Sequence, residues 1–85
     1  MKTVYETSPF VCSQRILIET EGTKIVKVNF IGGCNGNTQG VSRLVEGMEI
    51  DDVIEKLRNI RCGSKPTSCP AELAKALMQI KEANL

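Results

Sequence analysis

The first part of the chain alternates apolar and polar residues with the two-residue period of a β-strand. Two runs follow this pattern, and the apolar positions of each run share a face: Ile16 and Ile18 in one, and Val26, Val28 and Phe30 in the other. Between the runs lies Gly22, which can adopt the positive φ that a tight turn needs. The pattern predicts strands at about 14–20 and 23–31 joined as a hairpin, with a weaker strand over Lys2–Glu6.

After about residue 34 the apolar spacing becomes helical, and it predicts three amphipathic helices. The first has Asn37 or Thr38 as its N-cap and Gly47 as its stop; the second opens at Asp51 and ends at Gly63. The predicted buried stripes are Val41, Leu44, Val45 and Met48; then Val53, Ile54, Leu57 and Ile60; then Leu73, Ala76, Leu77 and Ile80.

The last helix has the clearest start signal. Ser68 is a good N-cap, and Pro70 falls in the first turn, where a missing N–H costs nothing. The Lys and Glu residues of this helix are expected on a solvated face. Strands followed by helices predict an α+β fold, with a small antiparallel sheet of two or three strands and three helices packed on one face. The 85 residues are expected to form a single domain over 1–85.

Composition excludes several classes of function. The net charge is +1 and charges are spread along the chain, which argues against nucleic-acid and membrane-surface partners. The sequence contains no His, so neither a Ser-His-Asp triad nor an imidazole metal site can form. The start of the chain has no apolar signal-peptide core, which predicts a cytoplasmic protein.

The four cysteines all fall at predicted element ends. Cys12 precedes the first hairpin strand, Cys34 follows the second, Cys62 ends the middle helix and Cys69 begins the last one. A cysteine used as a small hydrophobe would more often lie within an apolar stripe. In a reducing compartment, four thiols favour metal or redox chemistry over a disulfide framework. We therefore expect the cysteines to converge in the fold.

The surroundings of two cysteines suit a thiolate. Cys69 would lie at a helix N-terminus, where free N–H groups and the helix dipole stabilise negative charge. Cys34 lies in a glycine-rich segment whose backbone N–H groups could approach the sulfur. The residues expected to support the site there are Gly32, Gly33, Asn35, Gly36 and Asn37. The alternative for this segment is a purely structural role, as a tight turn between strand and helix.

The spacing of the cysteines leaves three interpretations open. No C-x-x-C occurs, so neither a zinc ribbon nor a thioredoxin-like site is present. Cys12, Cys34, Cys62 and Cys69 could share zinc or an iron–sulfur cluster. Cys62 and Cys69, which have six residues between them, could instead form a redox pair. In the third interpretation the thiols are inert, and a sheet edge or an apolar helix face binds a larger protein.

The sequence Thr67-Ser68-Cys69-Pro70, preceded by Cys62-Gly63 and the 32–37 segment, resembles the small bacterial TSCPD-domain proteins. That domain is associated with the C-terminal part of adenosylcobalamin-dependent ribonucleotide reductases. The resemblance implies an accessory module with a larger protein partner, such as ribonucleotide reductase, in the supply of DNA building blocks. One position departs from the motif, since Ala71 stands where an Asp is usual.

A fainter resemblance is to the iron–sulfur cluster scaffold fold. It implies that Cys12, Cys34 and Cys69 take the three scaffold positions, with Cys62 as an additional sulfur; Gln14 stands where the scaffold has an acid. Independent ribonucleotide reduction is excluded by size, because this chain alone is too short to bind cobalamin in a barrel. An open sheet edge leaves a homodimer as a possible assembly.

Overall fold

Three strands pair in chain order into one antiparallel sheet. The computed structural model describes residues 1–7, 13–32, 35–60 and 68–84, with side chains outside that description at 13, 35–37 and 84. The strands are β1 (Lys2–Glu6), β2 (Ser13–Glu21) and β3 (Lys24–Gly32), and β2 is the central one. The hairpin between β2 and β3 turns at Gly22, whose φ of 62° places a glycine where a side chain would be strained.

Three helices follow the sheet, and the α+β fold predicted from the sequence is confirmed. The helices are α1 (Asn35–Val45), α2 (Ile50–Leu57) and α3 (Cys69–Asn84). They pack on one face of the sheet, and the buried side chains between the two layers form one core. The large aliphatic side chains buried most completely there are Ile16, Ile18, Ile25, Ile50, Val53, Leu73 and Leu77. No helix in the described ranges is long and apolar enough to span a membrane.

The helices run back and forth along the sheet. At the hairpin turn, Gly47 donates to the carbonyl of Ile25 (2.7 Å), and Ile50 donates to that of Thr23 (2.9 Å). The Lys81 ammonium lies 2.6 Å from the Asp51 carboxylate, so the C-terminal part of α3 meets the N-terminus of α2. We call the opposite end of the sheet, formed by Glu6, Ser13 and Gly32, the distal end.

The predicted face of β3 is wrong at Val26. Simple alternation puts Val26 on the same face as Val28, but Val26 is 41% exposed and Ile25 is buried in its place. The cause is a β-bulge. Thr20 pairs with Ile25 while Glu19 pairs with Lys27, so Val26 is an extra residue without a pairing partner on β2. A bulge shifts the side-chain alternation by one position.

The N-cap expected at Asn37 or Thr38 is also wrong, because α1 begins at Asn35. The buried face of this helix consists of Thr38, Ser42 and Val45. Leu44, which was expected in the stripe, follows Ser42 around the helix by about 200° and is 77% exposed. The polar character of the buried face explains why apolar periodicity located it poorly.

The stripe of α2 is shorter than predicted. The helix opens at Ile50, one residue before Asp51, and ends at Leu57. Ile60 then donates to the carbonyl of Leu57 (3.2 Å), a tight turn that carries Ile60 out of the stripe and leaves it exposed. Gly63, the predicted stop, lies outside the described residues.

The bulge predicts different costs for two valines in the same strand. Val28→Ala, at a site 3% exposed, is expected to lower the free energy of unfolding by about 2 kcal/mol. Val26→Ala should cost less than about 0.5–1 kcal/mol because that side chain is already partly solvated. Urea unfolding of both variants measures the difference. Equal losses would mean that both valines face the core and that the bulge is absent.

Candidate cysteine site

Cys69 is the first residue of α3, and Ser68 occupies the N-cap position before it. The Ser68 hydroxyl accepts a hydrogen bond from the N–H of Ala71 (3.1 Å), and the Ser68 carbonyl accepts one from the N–H of Glu72 (2.8 Å). The side-chain bond satisfies one of the N–H groups that a helix start leaves open. Ala71 is therefore at N3, where an acid would complete a capping box.

The same Ser68 hydroxyl holds a second connection. It donates to the carbonyl of Ile60 at 2.6 Å. Ile60 and Ser68 are the two described residues that flank 61–67, so this bond ties together the ends of the segment between α2 and α3. The Ser68 hydroxyl thus caps α3 and also joins the two ends of the segment between α2 and α3.

The thiol of Cys69 faces the core. Its side chain is 9% exposed and belongs to the apolar cluster that includes Phe30 and Leu73. A buried cysteine reacts slowly with soluble partners, whereas burial does not hinder a metal ligand. The position combines a water-poor environment with the N-terminal end of a sixteen-residue helix.

The distal end of the sheet is held by strand pairing, with an irregularity in the β2–β3 register between Ser13 and Arg15. Ser13 is the partner of Gly32 across β2 and β3, and Arg15 lies opposite Glu6 across β1 and β2. The Arg15 Nε donates to the Glu6 carboxylate at 3.1 Å. Gly32 has a φ of 79°, a conformation that glycine adopts without strain, and it closes β3 just ahead of α1.

A buried carboxylate of α3 lies close enough to this end of the sheet to act electrostatically on Tyr5. Glu72 is 1% exposed, so the expectation that the acids of α3 are solvated is wrong for it. Its carboxylate lies 3.1 Å from the Lys75 ammonium. Burial, and then the negative charge of Glu72, raise the pKa of Tyr5, while Lys75 lowers it. Tyr5 is a β1 residue paired with Ile16, so the first turns of α3 lie over the distal half of the sheet.

Glu72 and Tyr5 are functional candidates that the sequence did not reveal. A usable signal was present for Glu72, because it lies three residues after Cys69 and four before Ala76, at the border of the apolar stripe. Nothing in the sequence pairs Tyr5 with it. Long-range contacts between a strand and a helix leave no local pattern.

The structure describes only some of the predicted site residues. Cys12, Cys34, Cys62 and Gly33 lie outside the described residues. The segment Asn35–Asn37 was predicted as a supporting loop, but it forms the first turn of α1 instead. Among the described side chains, no three Cys, Asp or Glu residues form a metal-binding group, and that set includes only one of the four cysteines.

Comparison with known proteins identifies the family. The TSCPD domain model matches residues 1–81 of the 85-residue chain, so the protein belongs to the TSCPD-domain family. No curated protein and no solved structure gives a significant match.

The double role of Ser68 can be measured. Ser68→Ala is expected to lower the free energy of unfolding by about 1–2 kcal/mol, because it removes the N-cap and leaves the Ile60 carbonyl without its partner. Ser42→Ala is the matched control: its hydroxyl is also buried, but it only bonds the Thr38 carbonyl within its own helix (2.8 Å). The control should change stability by less than about 0.5 kcal/mol. Equal effects in urea unfolding would contradict the assignment.

The single tyrosine reports on the buried carboxylate. Because the pKa of Tyr5 is raised above 10.0, its contribution to stability is present below about pH 10 and is lost as pH rises through the folded-state pKa. Absorbance titration of the phenol is free of interference, since the chain has one Tyr and no Trp.

Two substitutions should move this titration in opposite directions. Glu72→Gln should lower the pKa of Tyr5, and Lys75→Gln should raise it further. A shift of the same sign in both variants would show that the charges act on Tyr5 only through a change in packing.

Proposed function

We propose that this protein is a non-catalytic accessory module that binds a metal, zinc or an iron–sulfur cluster, through Cys12, Cys34, Cys62 and Cys69. The observation that carries the proposal is that the described residues next to all four cysteines lie at, or are tied to, the distal end of the fold.

The sheet tethers two of the cysteines. Cys12 immediately precedes Ser13, and Cys34 comes two residues after Gly32. Ser13 and Gly32 are partners in the β-ladder. Because consecutive Cα atoms are about 3.8 Å apart, chain connectivity keeps both cysteines within about 8 Å of this pair of positions.

The Ser68 hydroxyl joins the described residues that flank the other two cysteines. Cys62 is two residues after Ile60, and Cys69 directly follows Ser68. The 2.6 Å bond between the Ser68 hydroxyl and the Ile60 carbonyl joins these flanks. The charge of Glu72 acts on the pKa of Tyr5, so the same end of α3 lies over the distal half of the sheet.

The chemistry of the donor set fits either metal. Four thiolates are a common ligand set for structural zinc and for iron–sulfur clusters. The position of Cys69 suits a ligand: it is largely shielded from water, and the N-terminus of α3 opposes the negative charge of a thiolate. A bound metal would cross-link the sheet to the helical layer, and Ser68 and the Ser13–Gly32 pair would position the ligand-bearing segments.

A thiol redox module is the second candidate, and the Ser68–Ile60 bond favours it specifically because it draws the flanks of Cys62 and Cys69 together. Oxidation of two thiols to a disulfide releases two protons and two electrons, which would reduce a disulfide of the partner protein. The burial of Cys69 counts against this role, since exchange requires the thiolate to reach another protein. We rank the metal site first for this reason.

The partner in either case is a larger protein. The family resemblance suggests ribonucleotide reductase, and a reducing cytoplasm is the compartment in which four unbridged thiols persist. In that setting the module acts by binding, and any chemistry of ribonucleotides belongs to the partner.

Metal analysis of protein purified without oxygen tests the proposal. We expect about one equivalent of zinc, or an iron–sulfur chromophore with visible absorbance. Single Cys→Ser variants at all four positions should each lower the metal content, because each removes one ligand. Val26→Ala, an exposed site on the same sheet, should retain it.

The redox alternative gives a different pattern. Without bound metal, mild oxidation would remove two of the four free thiols. Cys12→Ser and Cys34→Ser would still lose two, whereas Cys62→Ser and Cys69→Ser would lose none. Protein that neither retains metal after reconstitution nor loses a thiol pair would overturn both candidates and leave an interaction domain with inert thiols.

A further inference from the structure

The outer edge of β1 is open to solvent. β1 is an edge strand with β2 on one side, and among the described elements only β2 makes extended contact with it. Lys2, Val4 and Glu6, three of its five residues, are exposed. Val4 is apolar and is nevertheless 61% exposed. An open edge of this kind is a template for another strand.

The hydrogen bonds at the two ends of β1 show which backbone groups point outward. At one end the Thr20 N–H donates to the carbonyl of Met1 (2.8 Å), and at the other the Thr7 N–H donates to the carbonyl of Gln14 (3.2 Å). Bonding direction alternates along a strand, so the odd-numbered residues from 1 to 7 direct their backbone groups toward β2.

The N–H and C=O groups of Lys2, Val4 and Glu6 therefore point away from the sheet. None of these backbone groups bonds to a residue that the structure describes. They form a row of donors and acceptors along the whole of β1, and the side chains of the same three residues lie on the face of the sheet opposite the helices.

The second edge of the sheet is covered. α1 packs against β3, and Val28 and Phe30 of that strand are buried. Nearer the turn, Ile25 is hydrogen-bonded to Gly47 and Met48 (2.7 and 3.0 Å). β1 is therefore the edge that can accept another strand.

The side chains of β1 are self-complementary when two copies run antiparallel. Lys2 and Glu6 lie two residues to either side of Val4, so a two-fold axis at Val4 places each Lys2 opposite Glu6 of the second copy. A charge on an edge strand opposes pairing when the partner offers no opposite charge, but in this arrangement each charge meets its opposite.

We propose that β1 pairs with β1 of a second copy of the chain, antiparallel about a two-fold axis at Val4. The outward backbone groups of Lys2, Val4 and Glu6 are then satisfied in both copies. The pairing joins two three-stranded sheets into one continuous sheet, and the contact is isologous.

Other antiparallel registers fit less well. An axis at Lys2 or at Glu6 brings like charges together and pairs only that residue. An axis at Thr3 or at Tyr5 pairs two outward residues and places a charged side chain opposite Val4. Among these registers, only the axis at Val4 uses all the outward groups and matches opposite charges.

The charges on the open face of the sheet continue the same pattern across the axis. Within one copy Lys2 pairs with Glu19 and Glu19 with Lys27, while Glu6 pairs with Arg15. The row that crosses the axis therefore alternates in sign: Lys27, Glu19 and Lys2 of one copy, then Glu6 and Arg15 of the second. The ion pairs within each copy, at 3.8 and 3.1 Å, are retained and become part of a network.

The row at the axis itself is apolar. Val4 lies opposite Leu17 within each copy, and both side chains are exposed. Pairing sets the two Val4 side chains next to each other, between the Leu17 side chains of the two copies. Apolar surface that faces water in the single chain is thereby partly buried, which favours association.

Two charge reversals test this register. Lys2→Glu faces Glu6 of the second copy, and Glu6→Lys faces its Lys2, so each variant alone should raise the dimer dissociation constant at least about tenfold. An equimolar mixture of the two variants restores opposite charges on both sides of the axis and should associate as wild type does. Sedimentation velocity over a concentration series up to about 1 mM measures these samples.

Lys27→Glu is the matched control. It makes the same change of charge beside the same Glu19, but it lies on β3, away from the axis. It should leave the dissociation constant within about twofold of the wild-type value. A reducing agent is present throughout, so that a disulfide between copies cannot mimic the contact. The pairing uses no cysteine, so its outcome is independent of the metal proposal.

Three results would overturn the proposal. The first is a wild-type chain that stays monomeric up to about 1 mM. The second is a dimer that Lys2→Glu and Lys27→Glu weaken equally. The third is an equimolar mixture of the two β1 variants that associates no better than either variant alone.

NMR gives a further readout on the unmodified sequence. With the axis at Val4, Thr3 and Tyr5 of the second copy form a pair without mutual hydrogen bonds, in which the two backbones approach most closely. A mixture of isotope-labelled and unlabelled chains should show an intermolecular contact between the α-protons of these two residues. Intermolecular contacts at other surfaces, without this one, would place the second copy elsewhere and overturn the proposal.

Discussion

The hydroxyl of Ser68 is the connection on which the distal half of the molecule depends. As an acceptor it satisfies the Ala71 N–H and starts α3; as a donor it fixes the Ile60 carbonyl beyond the end of α2. Without it, the start of the last helix and the exit from the middle one would have no described bond between them. This side chain helps to fix the start of α3, and with it the place of Cys69.

The molecule has two unlike ends. At the hairpin turn, backbone hydrogen bonds join Gly47, Met48 and Ile50 to Ile25 and Thr23 and so bind the helical layer to the sheet. At the distal end, side-chain interactions are prominent instead: Ser68 bonds the Ile60 carbonyl within the helical layer, Glu72 pairs with Lys75 on α3, and Tyr5 of β1 packs against the core. Connections made by a few side chains are easier to adjust than a backbone ladder.

Local signals predicted those parts of the structure that local physics controls. Gly22 marks the hairpin turn, and the stripe from Leu73 to Ile80 is buried as its spacing indicates. The errors at Val26 and Leu44 come from long-range effects: a bulge shifts one strand by a residue, and a polar pair, Thr38 and Ser42, faces the sheet in α1. No window of neighbouring residues contains that information.

The candidate site was predictable to a similar degree. The start of α3 could be located because capping depends on adjacent residues. The burial of Glu72 beneath Lys75 and its influence on Tyr5 could not, because they arise from packing between a helix and a strand far apart in the sequence. The positions of three of the four cysteines relative to one another remain an expectation from the chain's connectivity.

The order of the strands has a consequence for how the chain reaches this structure. Each strand pairs with its neighbour in sequence, and the hairpin of β2 and β3 closes over only two residues between Glu21 and Lys24. Short loops lose little entropy on closure, so such a meander can assemble before the helices dock. The folding nucleus would then be the sheet, and the helices would acquire stable structure only as Ile25 and Val28 give them a surface to condense on.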